Sequence, residues 1–351
     1  MIKHIWYYTF RIYVKIVLFF LLKKKTVYGI ENIPKKGAVL FIGNHQNALI
    51  DALIIPTLTK RKIHFLARAG VFKKDLVKRF LSTLNMLPAY RLRDGVKNMN
   101  KNYLVFERCV EILKNKGALE IFAEGEHHLE RRIIPLKKGF ARIILSTLQK
   151  YPDTKIQIIP IGLNYDSHLN FPSKVSIYFG EPILANPYFN TQNPDVSFSS
   201  IISKVSSELK KLTLHIEDDK NYEEIISKLE NCGVDYLNPT EANNMLSNIH
   251  SLDAIHINKV KINWFLPFHL LAKINSVFPI LIWRYLKKGI NEIIFTNTFR
   301  FAVIGTLFPL FYIVQSFIVY YIFNIQYALI YLVSSIILGI TYTKTASIPR
   351  E

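Results

Sequence analysis

Between Gly29 and about Pro182, short apolar runs alternate with longer stretches of helical periodicity. Val39 to Ile42, Ile63 to Ala67, Ala118 to Phe122, Gln157 to Leu163 and Val175 to Phe179 have the length and β-branched content of buried strands. Lys74 to Leu84, Lys97 to Lys116 and Lys138 to Leu148 carry apolar residues at helical spacing. This alternation predicts an α/β fold, a central, mostly parallel sheet flanked by helices, in which ligands collect beyond the carboxyl ends of the strands. After Glu181 the pattern turns polar, and Val196 to Leu212, Asn221 to Leu229 and Glu241 to Ile257 read as helices packed beside that layer.

The two flanks differ from the middle. Ile5 to Leu22 is apolar and aromatic but holds Arg11 and Lys15, and Lys23, Lys24 and Lys25 close it. Two internal cations disfavour a full span, so this segment is expected to lie in the membrane interface as an anchor, its lysines among the head groups. Trp264 to Trp283 is broken by Pro267, Lys273, Asn275 and Pro279, as in a re-entrant pair. Phe301 to Phe323 and Ile325 to Tyr342 are free of charge and long enough to cross a bilayer as a tight hairpin. The expected organisation is an anchor over 1–27, a catalytic α/β domain with a helical extension over 28–260, and a membrane region over 261–351.

Composition agrees with that division. The 351 residues are half hydrophobic, yet Lys and Arg number 45 against 26 Asp and Glu, a formal net charge of +19. Such a chain suits an anionic bilayer surface. No zinc-ligand spacing, RNP-like aromatic motif or basic recognition helix points to nucleic acid. Arg284, Lys287, Lys288 and Arg300 precede the hairpin and Lys344 and Arg350 follow it, which predicts both its ends, and the α/β domain, on the cytoplasmic side of an inner membrane. Cys109 and Cys232 show no pairing pattern and read as reduced thiols.

Chemistry concentrates where strands end. Val39-Leu40-Phe41-Ile42 runs into Gly43-Asn44-His45-Gln46-Asn47, and Asp51 follows on what reads as a helix. A histidine titrates near neutrality, and a carboxylate on one ring nitrogen fixes its tautomer and supports the imidazolium. Six residues apart on one helix they would not share a face, so the pair can form only if His45 precedes the helix. Met86 to Gly95 leads an apolar segment into a turn carrying Arg91 and Arg93, which point the same way in extended chain and make a fork for phosphate. Leu119-Glu120-Ile121-Phe122-Ala123-Glu124-Gly125-Glu126-His127-His128 is a strand entering a polar turn. Adjacent histidines do not both ligate one tetrahedral ion easily and no third stands at helical spacing, so no metal is expected.

Taken together, Asn44-His45 through Asp51, the block ending Pro88-Ala89-Tyr90-Arg91, Phe122-Ala123-Glu124-Gly125, Ile158-Ile159-Pro160-Ile161 and Phe179-Gly180-Glu181-Pro182-Ile183 resemble the ordered blocks of the glycerolipid acyltransferase family. That family includes glycerol-3-phosphate and 1-acylglycerol-3-phosphate acyltransferases. The resemblance implies that His45 is the general base on a glycerol hydroxyl and Asp51 its orienting carboxylate. It implies that Arg91 grips the acceptor phosphate, that Glu124 and Gly125 shape the acceptor site, and that Pro160 lies near the acyl donor. Acyl-CoA or acyl carrier protein would be co-substrate, with no bound cofactor.

This chain departs from the common pattern in having five residues, not four, between His45 and Asp51. The longer spacing, a histidine soon after the third block (His128) and Ile134-Pro135-Leu136-Lys137-Lys138-Gly139 are similar to a subgroup resembling fungal glycerol-3-phosphate and dihydroxyacetone-phosphate acyltransferases. Ala123 stands where proline is usual, and Glu126-His127 replace small or hydroxylated residues, which bears on the acceptor more than on the chemistry. No Gly-x-Ser-x-Gly elbow is present, so direct transfer is expected, with N–H groups after Gly43 or Gly125 receiving the oxyanion. The two alternatives are an acyltransferase for another lysolipid or an amino-acid lipid, and a basic membrane scaffold without catalysis.

Overall fold

The computed structural model describes residues 2–90, 101–190, 192–252 and 263–347. Eight strands form one sheet: β1 Leu22–Tyr28, β2 Ala38–Gly43, β3 Ile63–Arg68, β4 Met86–Ala89, β5 Ala118–Ile121, β6 Ile156–Tyr165, β7 Ser173–Phe179 and β8 Ile183–Leu184. Their order is β1-β7-β6-β2-β5-β3-β4, with β8 also on β6. Strands β6, β2, β5, β3 and β4 run parallel, while β7 and β8 pair antiparallel with β6 and β1 runs with β7. Alternate side chains of β2 face opposite ways, Ala38, Leu40 and Ile42 to one layer and Val39 and Phe41 to the other. The helical layer against the first face is α4 Lys101–Lys114, α5 Gly139–Lys150 and α6 Pro194–Leu212. Against the second lie α1 Ile2–Leu21 and α2 Ala48–Leu58. The remaining α/β helices are α3 Asp75–Thr83, α7 Tyr222–Asn231 and α8 Pro239–Ser247.

Lys23, Lys24 and Lys25, expected among lipid head groups, instead belong to β1, the sheet's edge strand, and α1 passes into it without a loop. A lysine-rich strand is suited to an edge, where charge discourages further pairing. Helix α1 is two-sided: Val14, Val17, Leu18 and Leu21 are buried against the sheet, whereas Ile5, Ile12, Ile16 and Phe19 are exposed. The stretch expected as one helix over Glu241 to Ile257 is α8 followed by a 3-10 turn at Ile249–Ser251, and its last residues lie outside the described ones.

The membrane region comprises α9 Leu266–Asn275, α10 Val277–Lys288, α11 Thr296–Ile322 and α12 Ile325–Thr345. Residues Ile293–Ile322 and Ile325–Thr345 are each long and apolar enough to cross a membrane, and α9 and α10 are bent by 79° at Ser276, as in a broken or re-entrant span. Asn324 caps α12 through its side chain, closing the hairpin. The hairpin is bound to the α/β layers at both ends. Tyr13 donates to the Gly305 carbonyl, and Lys344 donates to the Phe19 and Leu22 carbonyls while Lys23 donates to that of Ala346. Gly305 lets the helices approach closely at this crossing: a Cβ there would stand 2.3 Å from the Tyr13 hydroxyl, which would have to shift.

Candidate active site

Strand β2 ends at Gly43, and the four residues before α2 form a corner at the carboxyl end of the parallel strands. Ala48 opens the helix with φ +41°, a left-handed conformation that is uncommon without a glycine and is found where a site fixes its backbone. Because His45 precedes the helix, the six-residue separation no longer keeps the side chains apart, and His45 Nδ1 lies 3.1 Å from Asp51 Oδ2. Asp51 is fully buried. Its Oδ2 also accepts the Asn47 N–H at 2.7 Å, reaching back from the first turn like the acid of a capping box, and its Oδ1 accepts the Tyr165 hydroxyl at 2.8 Å. Asp51 thus meets three hydrogen-bonding groups in the first turn of α2, the end of a helix that favours negative charge.

The His45 ring stacks on Phe122, centroids 4.1 Å apart and planes within 10°, and its side chain keeps 16% of its exposure. With Nδ1 committed to Asp51, Nε2 is the nitrogen left for a substrate proton. The backbone is pinned as well. His45 N donates to Glu124 Oε2 at 3.0 Å, and the His45 carbonyl accepts the His128 N–H at 3.2 Å. Glu124 is fully buried and Oε1 is 3.4 Å from the Ile134 N–H, so its carboxylate ties three segments together. Gly125 makes the turn after it with φ +75°, where a Cβ would also press on Lys137 at 3.0 Å. His128 Nε2 approaches Glu124 at 3.5 Å without hydrogen-bond geometry. His127 stands edge-on to the His45 ring at 5.5 Å.

Residues 24–164 match the Acyltransferase family model. Glycerol-3-phosphate O-acyltransferase 1 of Saccharomyces cerevisiae is 30% identical over 119 residues, which cover 32% of this chain and 16% of that enzyme. The chloroplastic 1-acyl-sn-glycerol-3-phosphate acyltransferase BAT2 of Brassica napus is 24% identical over 141 residues, 40% of this chain and 37% of that protein. The crystal structure of the 1-acyl-sn-glycerophosphate (LPA) acyltransferase PlsC from Thermotoga maritima shares 22% identity at a TM-score of 0.38, covering 53% of this chain and 72% of that one.

Within the matched residues, His45, Asp51, Glu124, Gly125 and His128 converge on one corner. Pro160 lies deeper, in β6 opposite Ile42, between the stretch that pairs β8 and the stretch that pairs β7. There the ladder asks for a carbonyl, which accepts the Gly180 N–H at 2.8 Å, and its missing N–H leaves no gap. Arg91 and Arg93 lie outside the described residues. The N–H groups expected to receive an oxyanion are largely committed: His45 to Glu124, Asn47 to Asp51, His128 to His45 and Gly125 to the Phe122 carbonyl.

Three contributors escape sequence reasoning. Tyr165 comes from the far end of β6; burial, then the adjacent Asp51, pushes its hydroxyl well above the ordinary range, so it serves as a neutral donor. Glu120, on β5, is fully buried, and its carboxyl oxygens meet no hydrogen-bond partner among the described residues; burial first and Asp51 second raise its carboxyl well above the usual range. Asn297, at the start of α11, donates to Asn47 Oδ1 at 3.2 Å. Its only sequence signal is a polar first turn, Thr296, Asn297, Thr298 and Arg300, at the mouth of an apolar helix.

Proposed function

We propose that this protein is a membrane-bound O-acyltransferase that moves a fatty acyl group from acyl-CoA or acyl carrier protein to a hydroxyl of glycerol-3-phosphate or 1-acyl-glycerol-3-phosphate in phospholipid biosynthesis. The buried Asp51 carboxylate on Nδ1 of an accessible histidine carries this reading. Nε2 of His45 takes the proton of the acceptor hydroxyl as its oxygen attacks the thioester carbonyl; Asp51 supports the imidazolium formed. Collapse of the tetrahedral intermediate breaks the carbon–sulfur bond, and the imidazolium returns the proton to the departing thiolate. Arg91, with Arg93 beside it, is assigned to the acceptor phosphate by the family resemblance, for which a guanidinium fork is suited. Glycerol-3-phosphate is the first acceptor to try, since the yeast relative is named for it and is 30% identical against 24% for the Brassica napus one.

The hairpin would hold the domain at the bilayer, with the basic flanks of α10 and α12 on the cytoplasmic side of an inner membrane, where a water-soluble donor is met. The deciding experiment is acyl transfer by the purified, detergent-solubilised chain, with palmitoyl-CoA and then palmitoyl carrier protein as donors. Glycerol-3-phosphate and its 1-acyl form are the acceptors, and His45→Ala is the control. Transfer to either acceptor that falls about 100-fold or more in the variant supports the reading. Folded wild type silent with both donors and both acceptors refutes it, as does an activity indifferent to His45.

A further inference from the structure

Helix α11 does more than hang the α/β domain on a bilayer. Its first turn enters the protein behind the active-site corner, where Asn297 is 3% exposed and Asn47, which it meets, is 2% exposed. The Asn297 carboxamide donates from Nδ2 to Asn47 Oδ1 at 3.2 Å and to the His168 carbonyl at 2.7 Å. Its own oxygen accepts from Arg300, whose other nitrogen donates to the Leu169 carbonyl at 3.1 Å. The Arg300 guanidinium is held between the rings of Phe171 and Trp283, 5.4 and 5.1 Å from their centroids.

The chain of donors continues inward in one direction. Asn47, its side-chain oxygen held by Asn297, donates its backbone N–H to Asp51 Oδ2 at 2.7 Å, and the Tyr165 hydroxyl donates to Asp51 Oδ1 at 2.8 Å. Asp51 Oδ2 then meets His45. Asn297 thus holds the residue whose N–H shares Asp51 Oδ2 with His45, so a shift of Asn47 is felt at the pair. A second contact runs beside it: just ahead of α11, Phe295 packs against the His127 ring at 5.0 Å and Glu292 lies 3.7 Å from His127 Nε2.

We propose that Asn297 is a positioning residue for the His45–Asp51 pair, so that docking of the membrane hairpin orients the base. Asn297 lies beyond the residues that match the family model, so this support comes from the chain's own membrane region. The proposal rests on the acyltransferase reading for its kinetic test but not for its structural one.

The test uses the full chain in detergent or nanodiscs, with palmitoyl-CoA and glycerol-3-phosphate. Asn297→Leu removes both donated bonds. Asn297→Asp keeps the shape and gives Arg300 a carboxylate, so the hairpin stays docked while Asn47 loses its donor. Both variants are expected to lower kcat roughly 10- to 100-fold with KM within about twofold, the signature of a misplaced rather than a missing group. In a His45→Ala background neither should cost more than about twofold. An unchanged kcat overturns the proposal, and so does an equal loss with and without His45, which would report folding alone. Amide hydrogen exchange supplies the arm that needs no activity. Exchange over 44–51 should quicken about tenfold in both variants while α12 is unchanged, and unaltered protection over 44–51 overturns the proposal. Wild type inactive on every glycerophosphate would defeat the functional reading and leave the exchange result to decide this one.

Discussion

Replacing Asp51 by asparagine tests the corner at its centre. The carboxylate accepts three hydrogen bonds, from Asn47 N–H and His45 Nδ1 on one oxygen and from Tyr165 on the other. An amide can keep its oxygen toward Asn47 and His45, in which case its NH2 meets the Tyr165 hydroxyl, whose hydrogen then loses its acceptor. Turned the other way, the NH2 faces the Asn47 donor and drives His45 into the tautomer that carries its proton on Nε2, where a base is needed. Either way the imidazolium loses the charge that supports it. General-base assistance is worth about 10² to 10⁴, so a kcat loss in that range is expected, about 2.7 to 5.5 kcal/mol at 1.36 kcal/mol per decade. Folding should not suffer in proportion, because neutralising a buried carboxylate removes a desolvation cost. Initial rates of CoA release at saturating donor and acceptor, read against the thermal midpoint in the same detergent, make the comparison. A kcat within fivefold of wild type, or a loss matched by an equal collapse of the folded fraction, would refute the assignment of Asp51 as the orienting group.

Three further outcomes are expected. Tyr165→Phe leaves Asp51 Oδ1 buried without a donor, and should cost about 1–3 kcal/mol in denaturant unfolding and a smaller share of kcat than Asp51→Asn. Glu120 holds its proton in the folded state well above the ordinary carboxyl range, so the folded chain binds more protons than the unfolded one once pH exceeds about 4.3, and wild-type stability falls as pH rises from there to the raised folded value. Glu120→Gln has no such slope, so its stability advantage should widen between pH 5 and pH 8; parallel curves would show that Glu120 is already ionised in the fold. Gly305→Ala drives a methyl against Tyr13 and should lower stability by about 1–3 kcal/mol, a penalty that shrinks when Tyr13→Phe removes the obstructing hydroxyl.

The sheet was legible because its central strands are buried on both faces and therefore read as unbroken apolar runs. Strand β1 was not, since Lys23-Lys24-Lys25 carry the signature of a membrane border until β7 is known to lie beside them. The His45–Asp51 spacing announced its own condition, that the histidine precede the helix, and the corner at Ala48 meets it. Glu124 was visible as part of a polar turn, but its grip on the His45 backbone depends on β2 and β5 being neighbours, which no local pattern states. Tyr165 and Asn297 reach the same corner from 114 and 250 residues away, as neighbours of Asp51 and Asn47 respectively. A lone tyrosine at a strand end and a lone asparagine in an apolar helix carry no local sign of such partners.

The pairing of β1 with β7 has a consequence for biogenesis. Leu22 and Ser173 are about 150 residues apart in the chain, so at roughly 5–20 residues per second the edge strand waits about 8–30 s on the ribosome for its partner. Until the later strands are made, the inward row of α1, Val14, Val17, Leu18 and Leu21, lacks part of the sheet that covers it in the folded protein. A nascent chain with such a helix, aromatic on one side and basic along its length, has a bilayer surface as its nearest shelter. Synthesis on membrane-bound ribosomes should therefore raise the yield of folded protein over release into bulk water, and vesicles present during cell-free translation should help more when added before the ribosome reaches Ser173 than after it.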